Sequence, residues 1–136
     1  MNQRWAQGDW RPIQLELDDD FPRSVAALGR YDVLLVNPIR DGLNLVAKEG
    51  AALNERHGVV VLSREAGVWP EMRDAVLTVN PFDVEATAEQ LARALAMSQA
   101  ERSELATRAR ALATARTPQN WLADQIKAAG GAVQSS

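Results

Sequence analysis

The chain has 136 residues, 46% of them hydrophobic and 24% charged, with a formal net charge of −3. One core's worth of polypeptide is too short for a usual two-domain enzyme, and this composition excludes disordered, collagen-like and low-complexity classes. A slight acidic excess, with thirteen of the fifteen basic residues being scattered arginines, provides no basic field for a phosphate polymer, so no nucleic-acid partner is expected.

Residues 1–10, MNQRWAQGDW, lack the apolar stretch of a secretion leader, and no apolar run approaches the roughly 20 residues of a membrane span. A cytoplasmic protein with no membrane partner is expected. Trp5 and Trp10 stand in a polar segment that reads as disordered or as a source of self-association. Residues 12–18, PIQLELD, alternate Ile13, Leu15 and Leu17 with Gln14 and Glu16, the period of a half-buried strand. Asp19 or Asp20 then caps a helix over 22–30, with Pro22 in its first turn, Val25, Ala27 and Leu28 on its apolar face and Gly29 near its end. DVLLVNP, 32–38, is a continuous apolar run closed by proline, as in a strand covered on both faces of a parallel sheet.

Residues 41–53, DGLNLVAKEGAAL, place Leu43, Val46, Ala47 and Leu53 at helical spacing behind Asp41, which can accept from free amides. His57 and Gly58 form a turn into GVVVLS, 58–63, a third strand of β-branched residues. REAGVWPEM reads as a loop and short helix, and AVLTVNP, 75–81, as a fourth strand that ends in Asn-Pro like the second. Asp83 or Thr87 caps a helix to about Met97; Ser98 with Glu101 has the spacing of a capping box before a polar helix to about Ala115. Thr117-Pro118 opens a last helix carrying Trp121, Leu122 and Ile126, which Gly130-Gly131 stops before a frayed VQSS tail.

Strands alternating with helices predict an α/β fold: a Rossmann-like parallel sheet with flanking helices, residues 1–136 forming one unit and 98–136 its C-terminal helices. Beyond the βα alternation there is no internal repeat and no linker. Such sheets bind ligands outside the carboxyl ends of their strands.

NPIRDGLNLVAKE, 37–49, lies at such an end. Gly42 permits close backbone approach, and the amides of Leu43 to Val46 would turn the favourable end of a helix dipole toward an anion such as a phosphate or diphosphate. Asp41 and Glu49, eight apart, would share one side of the helix, with Asp41 at the mouth and Glu49 deeper, so that both can accept from hydroxyls. On pattern alone, an ordinary capped amphipathic helix explains the same residues.

The blocks D-G-L-N-L-V-A-K-E at 41–49, V-V-V-L-S-R-E-A-G at 59–67 and V-N-P-F-D at 79–83 resemble the trehalose-6-phosphate synthase family, the family 20 glycosyltransferases of GT-B fold. The likeness runs from about Trp10 to about Arg110. It implies that the chain is the latter part of the C-terminal, donor-binding domain. By the resemblance, Asp41 bonds a hydroxyl of the donor glucose, Gly42, Leu43 and Asn44 approach the sugar through their backbone, Leu45 and Val46 offer amides to the diphosphate, and Glu49 holds the ribose. The implied donor is UDP-glucose and the implied reaction, with glucose-6-phosphate, retains the anomeric configuration. The leaving phosphate would take the acceptor's proton, so no enzymic nucleophile, metal or cofactor is required. The absence of cysteine, which also rules out disulfides, Fe–S clusters and thiolate zinc sites, agrees with that chemistry.

The departure is one of extent. The family's diphosphate-clamping Arg and Lys have no counterpart here, Lys48 belonging to the motif helix, and the N-terminal acceptor-binding domain is missing. Two strands expected between 12–18 and 32–37 are also missing, so either those segments pair directly or another chain fills the gap. The isolated chain is therefore expected to bind donor weakly and not to turn over. The competing readings are an inert or partner-subunit domain, and a relative with another acceptor, glucosylglycerol phosphate or a pseudosugar.

Other features invite different chemistry. Asp18-Asp19-Asp20 contains a D-x-D that can hold a divalent metal, although an acidic turn before a helix is simpler. His57, the sole histidine, reads as a solvated turn residue. Trp121, Leu122 and Ile126 read as a packing stripe which, if bare, favours self-association. Residues 101–116 read as a solvated helix face laced with i,i+4 pairs. Neither G-x-G-x-x-G nor G-K-[ST] occurs, which removes dinucleotide and P-loop readings.

Overall fold

A computed structural model describes residues 1–130. Three apolar runs form one parallel sheet in the order β1 (Val33–Val36), β2 (Val59–Ser63), β3 (Leu77–Val79). Val33 pairs with Val59 and Val61 with Leu77, which fixes the register across the sheet. Every residue of the central strand β2 is buried. Its side chains alternate between two layers: Val60 and Leu62 join one apolar cluster with Val36, Ala47, Val68 and Met72, while Val59 and Val61 join another with Leu77, Val79 and Ala94.

The remaining elements are α1 (Asn2–Trp5), α2 (Phe21–Arg30), α3 (Leu45–Leu53), α4 (Trp69–Met72) with a 3-10 turn over Arg73–Ala75, α5 (Val84–Ala96), α6 (Gln99–Thr114) and α7 (Pro118–Ala128). The expected caps mostly hold. Asp20 accepts from the Arg23 amide, Asp83 from Ala86, and the Ser98–Glu101 box closes in both directions. Thr117 forms a box with Asn120 ahead of Pro118, and Gly130 takes a left-handed φ of 80° past the end of α7. The rest of the tail, where fraying was expected, lies outside the described residues.

Four expectations change. Residues 12–18 form no strand, and Leu15 and Leu17 are exposed. Alternation marks a segment suited to a ladder, but a strand exists only with a partner, and β1 pairs on its other side with β2 alone. β1 is thereby an edge strand, and its cover is only partial: Leu34 and Val36 pack into one cluster and Val33 against the other, while Leu35 is exposed. At the amino terminus, α1, two hydrogen bonds between the Asn2 side chain and the Ile13 backbone, and a Gln7–Trp10 bridge organise a segment read as disordered, leaving Trp5 and Trp10 exposed.

The fourth change concerns α6, which keeps a solvated outer face as expected but packs its other face against the rest of the chain. Ala109 is buried against α3, and Arg102, its side chain 18% exposed, donates to the backbone oxygen of His57 and to the Asp32 carboxylate. Arg110 donates to the Asn54 carbonyl. Only Glu104–Arg108 realises an i,i+4 pair. On α7, Trp121, Leu122 and Ile126 form an exposed stripe.

Asn54 ties this side of the sheet together. Its Nδ2 donates to the Tyr31 carbonyl at 2.9 Å and to that of Leu28 at 3.4 Å, while its Oδ1 accepts from the amides of Arg56 at 3.0 Å and Gly58 at 2.7 Å. Gly58 leaves room for the Tyr31 ring, since a Cβ there would overlap it. The Tyr31 hydroxyl is buried without a hydrogen-bond partner among the described residues. Burial pushes its pKa up to about 12, with the Arg110 charge working against that rise. Because Tyr31 is the only tyrosine, an absorbance titration reads it alone. The folded chain is expected to ionise near pH 12, and in denaturant near 10. The neutral hydroxyl contributes stability in full below pH 10, and that contribution fades between 10 and 12 as the unfolded form ionises first. Ionisation near 10 in the folded chain would show that the ring is not held as described.

Candidate functional site

The carboxyl ends of the three strands lead into three segments: 37–44 after β1, 64–67 after β2 and 80–83 after β3. The last is structural. Asn80 Oδ1 accepts from the Phe82 amide and Asp83 caps α5, so the V-N-P-F-D block is a strand end and a helix start. The segment 64–67 folds under 41–43: the Asp41 amide donates to the Glu65 carbonyl at 3.3 Å, and the Gly67 amide donates to the Asp41 carbonyl at 2.8 Å.

Within 41–46 the side chains organise the backbone. Asp41 Oδ1 accepts from the Leu43 amide at 3.2 Å and its Oδ2 from Asn44 Nδ2 at 2.9 Å. Asn44 takes a left-handed φ of 64°, which asparagine tolerates, and its Oδ1 accepts from Ala47 N at 3.1 Å. Asn44 is therefore the N-cap of α3, not Asp41, and the helix begins at Leu45. Sequence spacing could not separate the two, because either residue can cap. Hydrogen bonds from Leu43, then from Asn44, hold the Asp41 carboxyl below the usual carboxylate range, so it is ionised at neutral pH.

Four consequences follow for the expected site. The Leu43 amide is occupied by Asp41, whereas among the described residues nothing accepts from the amides of Leu45 and Val46. A Cβ built on Gly42 meets nothing within 4 Å, so the space over this corner is open. Asp41 lies outside the helix, so the eight-residue helical argument that placed it in line with Glu49 fails. Glu49 sits in the second turn of α3 and is exposed rather than deep.

Lys48 is held by Glu71 at 2.6 Å, which commits it to joining α3 and α4. Asp20 of the acidic triplet is used as a helix cap, and the strand that would have presented that triplet is absent. His57 is an exposed turn residue with a φ of 55°. It lines a cavity of about 310 Å³ together with Tyr31, Glu55 and Arg110, away from the 41–46 corner. Sequence reading missed the bracing segment 64–67. Its only signal was the Ala66-Gly67 pair inside a block that carried the family resemblance without an assigned role.

The model of glycosyltransferase family 20 matches residues 1–130. The chain belongs to that family. Among curated relatives, the trehalose-6-phosphate synthase of Sinorhizobium fredii is 46% identical over 99 residues, covering 71% of this chain and 21% of the relative. That of Escherichia coli K12 is 44% identical over 106 residues, covering 75% and 22%. The chain thus spans about a fifth of the length of these family members. A solved α,α-trehalose-phosphate synthase (UDP-forming) from Burkholderia vietnamiensis superposes with a TM-score of 0.83 at 38% identity, covering 93% of this chain and 29% of that one. An E. coli structure bound with UDP-2-fluoro glucose superposes at 0.85 and 35% identity, covering 97% and 30%. The α/β, Rossmann-like expectation holds, and the solved neighbours are GT-B enzymes of trehalose biosynthesis. Among the described residues no helix is long and apolar enough to cross a membrane.

Proposed function

We propose that this chain is the UDP-glucose-binding part of a retaining glucosyltransferase that forms trehalose-6-phosphate from UDP-glucose and glucose-6-phosphate. One observation carries the reading: in a family 20 chain, the corner after β1 leaves the Leu45 and Val46 amides free at a helix start, beside an ionised Asp41, with open space over Gly42. The two amides would receive the diphosphate, and the backbone of Gly42, Leu43 and Asn44 would lie along the sugar. Asp41 spends one interaction on each oxygen, which leaves acceptor capacity for a glucose hydroxyl. Glu49, exposed on the second turn of α3, would take the ribose hydroxyls.

These groups position the donor and stabilise charge growing on the departing diphosphate, the leaving phosphate accepting the acceptor's proton. Charge compensation then comes from helix amides and not from a divalent ion. The acceptor-binding domain and the cationic clamp would come from other sequence, in the same or another polypeptide, which would also meet the open edge of β1. Alone, the chain is proposed to bind weakly and not to release UDP: the loss of two charge-assisted contacts, each worth about 1.5–3 kcal/mol, lowers affinity by orders of magnitude.

UDP-glucose titrated into labelled protein is expected to shift amides within 41–49, equally with and without EDTA. A folded spectrum silent there at millimolar donor would favour an inert domain, and dependence on a divalent ion would refute the metal-free site.

A further inference from the structure

Resting on that reading, we propose that Gly67 is a positioning residue of the donor corner: its lack of a side chain lets the turn after β2 grip the backbone of Asp41 and so sets where the 43–46 amides point. A Cβ on Gly67 would overlap the Gly42 carbonyl and come within 3.0 Å of the Leu43 amide nitrogen. These neighbours are backbone atoms and cannot swing aside as a side-chain tip would. The φ of Gly67 is not left-handed, so the need is for close approach and not for an unusual conformation.

The grip is double. On one side of Gly42 the Asp41 amide donates to Glu65, and its carbonyl accepts from Gly67 itself, so Asp41 is paired like a residue in a parallel ladder with Ala66 as its partner. Ala66 is buried and Glu65 is in turn pinned, its amide donating to Ser63 Oγ at the end of β2. The rigid central strand thereby fixes the Asp41 backbone, the Asp41 carboxylate fixes Leu43 and Asn44, and Asn44 caps the helix whose first amides are free. Each step passes position from the sheet to the site.

Gly67→Ala is expected to push 42–43 away from the turn and lengthen the Leu43-to-Asp41 bond. The Asp41 carboxyl, followed by carbon NMR, should then titrate closer to its ordinary range than in the parent chain. Donor-induced shifts of amides 43–46 should need roughly tenfold or more UDP-glucose, in line with the cost of misplacing a binding group by about an ångström. Gly29→Ala, whose Cβ meets only the Leu53 carbonyl at 3.9 Å, serves as the control and should change neither readout.

If Gly67→Ala folds with an unmoved Asp41 titration, the proposal fails. If Asp41 moves while even the parent chain ignores donor, the positioning role stands and the donor reading falls. Should the variant not fold, hydrogen exchange in the parent chain decides: slow exchange at the Asp41 and Gly67 amides supports the grip, and free exchange overturns it.

Discussion

Asn54→Ala is expected to lower the unfolding free energy by about 3 kcal/mol, the largest loss from any single polar side chain here. The amide group serves four backbone partners drawn from the end of α2, the approach to β1, and the turn into β2. Removing it strands the Gly58 amide and the Tyr31 carbonyl without partners, and Gly58 is buried. A buried group left unpaired costs roughly 1–3 kcal/mol, far more than the net worth of an exchanged hydrogen bond. Small domains hold only about 5–15 kcal/mol in total, so the variant should melt much earlier. Asn54→Asp keeps the two acceptor interactions but sets a buried carboxylate oxygen against the Tyr31 and Leu28 carbonyls where a donor stood, and should lose at least as much as Ala. Urea midpoints at a constant slope would test the series; a loss below about 1 kcal/mol for Ala would mean the hub is not held as described.

Asp41→Ala is expected to remove most donor affinity with little change in global stability. The side chain has three tasks under the proposed function: it holds Leu43, orients the Asn44 cap, and accepts from a sugar hydroxyl. Loss of one charge-assisted contact to ligand is worth about 2 kcal/mol, roughly thirtyfold in affinity, before any loosening of the loop is counted. The exposed corner adds little to the core, so the urea midpoint should barely move. Acid offers an independent check. The folded Asp41 pKa is lowered, so its loop interactions are complete above the usual carboxylate range and fade as pH falls through the folded value. Donor-induced shifts should weaken over that same acidic interval and stay constant at neutral pH. Affinity equal to the parent in Asp41→Ala would remove this residue from the site.

The apolar runs 32–38, 58–63 and 75–81 were legible as strands because a solid β-branched run has few alternatives in a chain of this length. Capping boxes were legible because their chemistry is local: Ser98 needs only Glu101, three residues on. The corner at 41–46 was legible in its residues but not in its geometry. Asp41 and Asn44 are both good caps, and only the left-handed turn at Asn44 assigns the cap to one and the organising carboxylate to the other. The strand at 12–18 was misread because period-2 alternation describes a surface and not the neighbour that surface requires.

Sequence by itself determined the alternation of helices with the three strands, the family, and which residues make up the corner at 41–46, since each depends on short-range pattern or on a contiguous block. Tertiary structure alone decided that α6 is packed through Arg102 and Arg110, that Asn54 joins three elements, and that Gly67 lies beneath Gly42. Those contacts join residues 23 to 70 positions apart, and no local propensity encodes which distant backbone atom will lie against a given side chain.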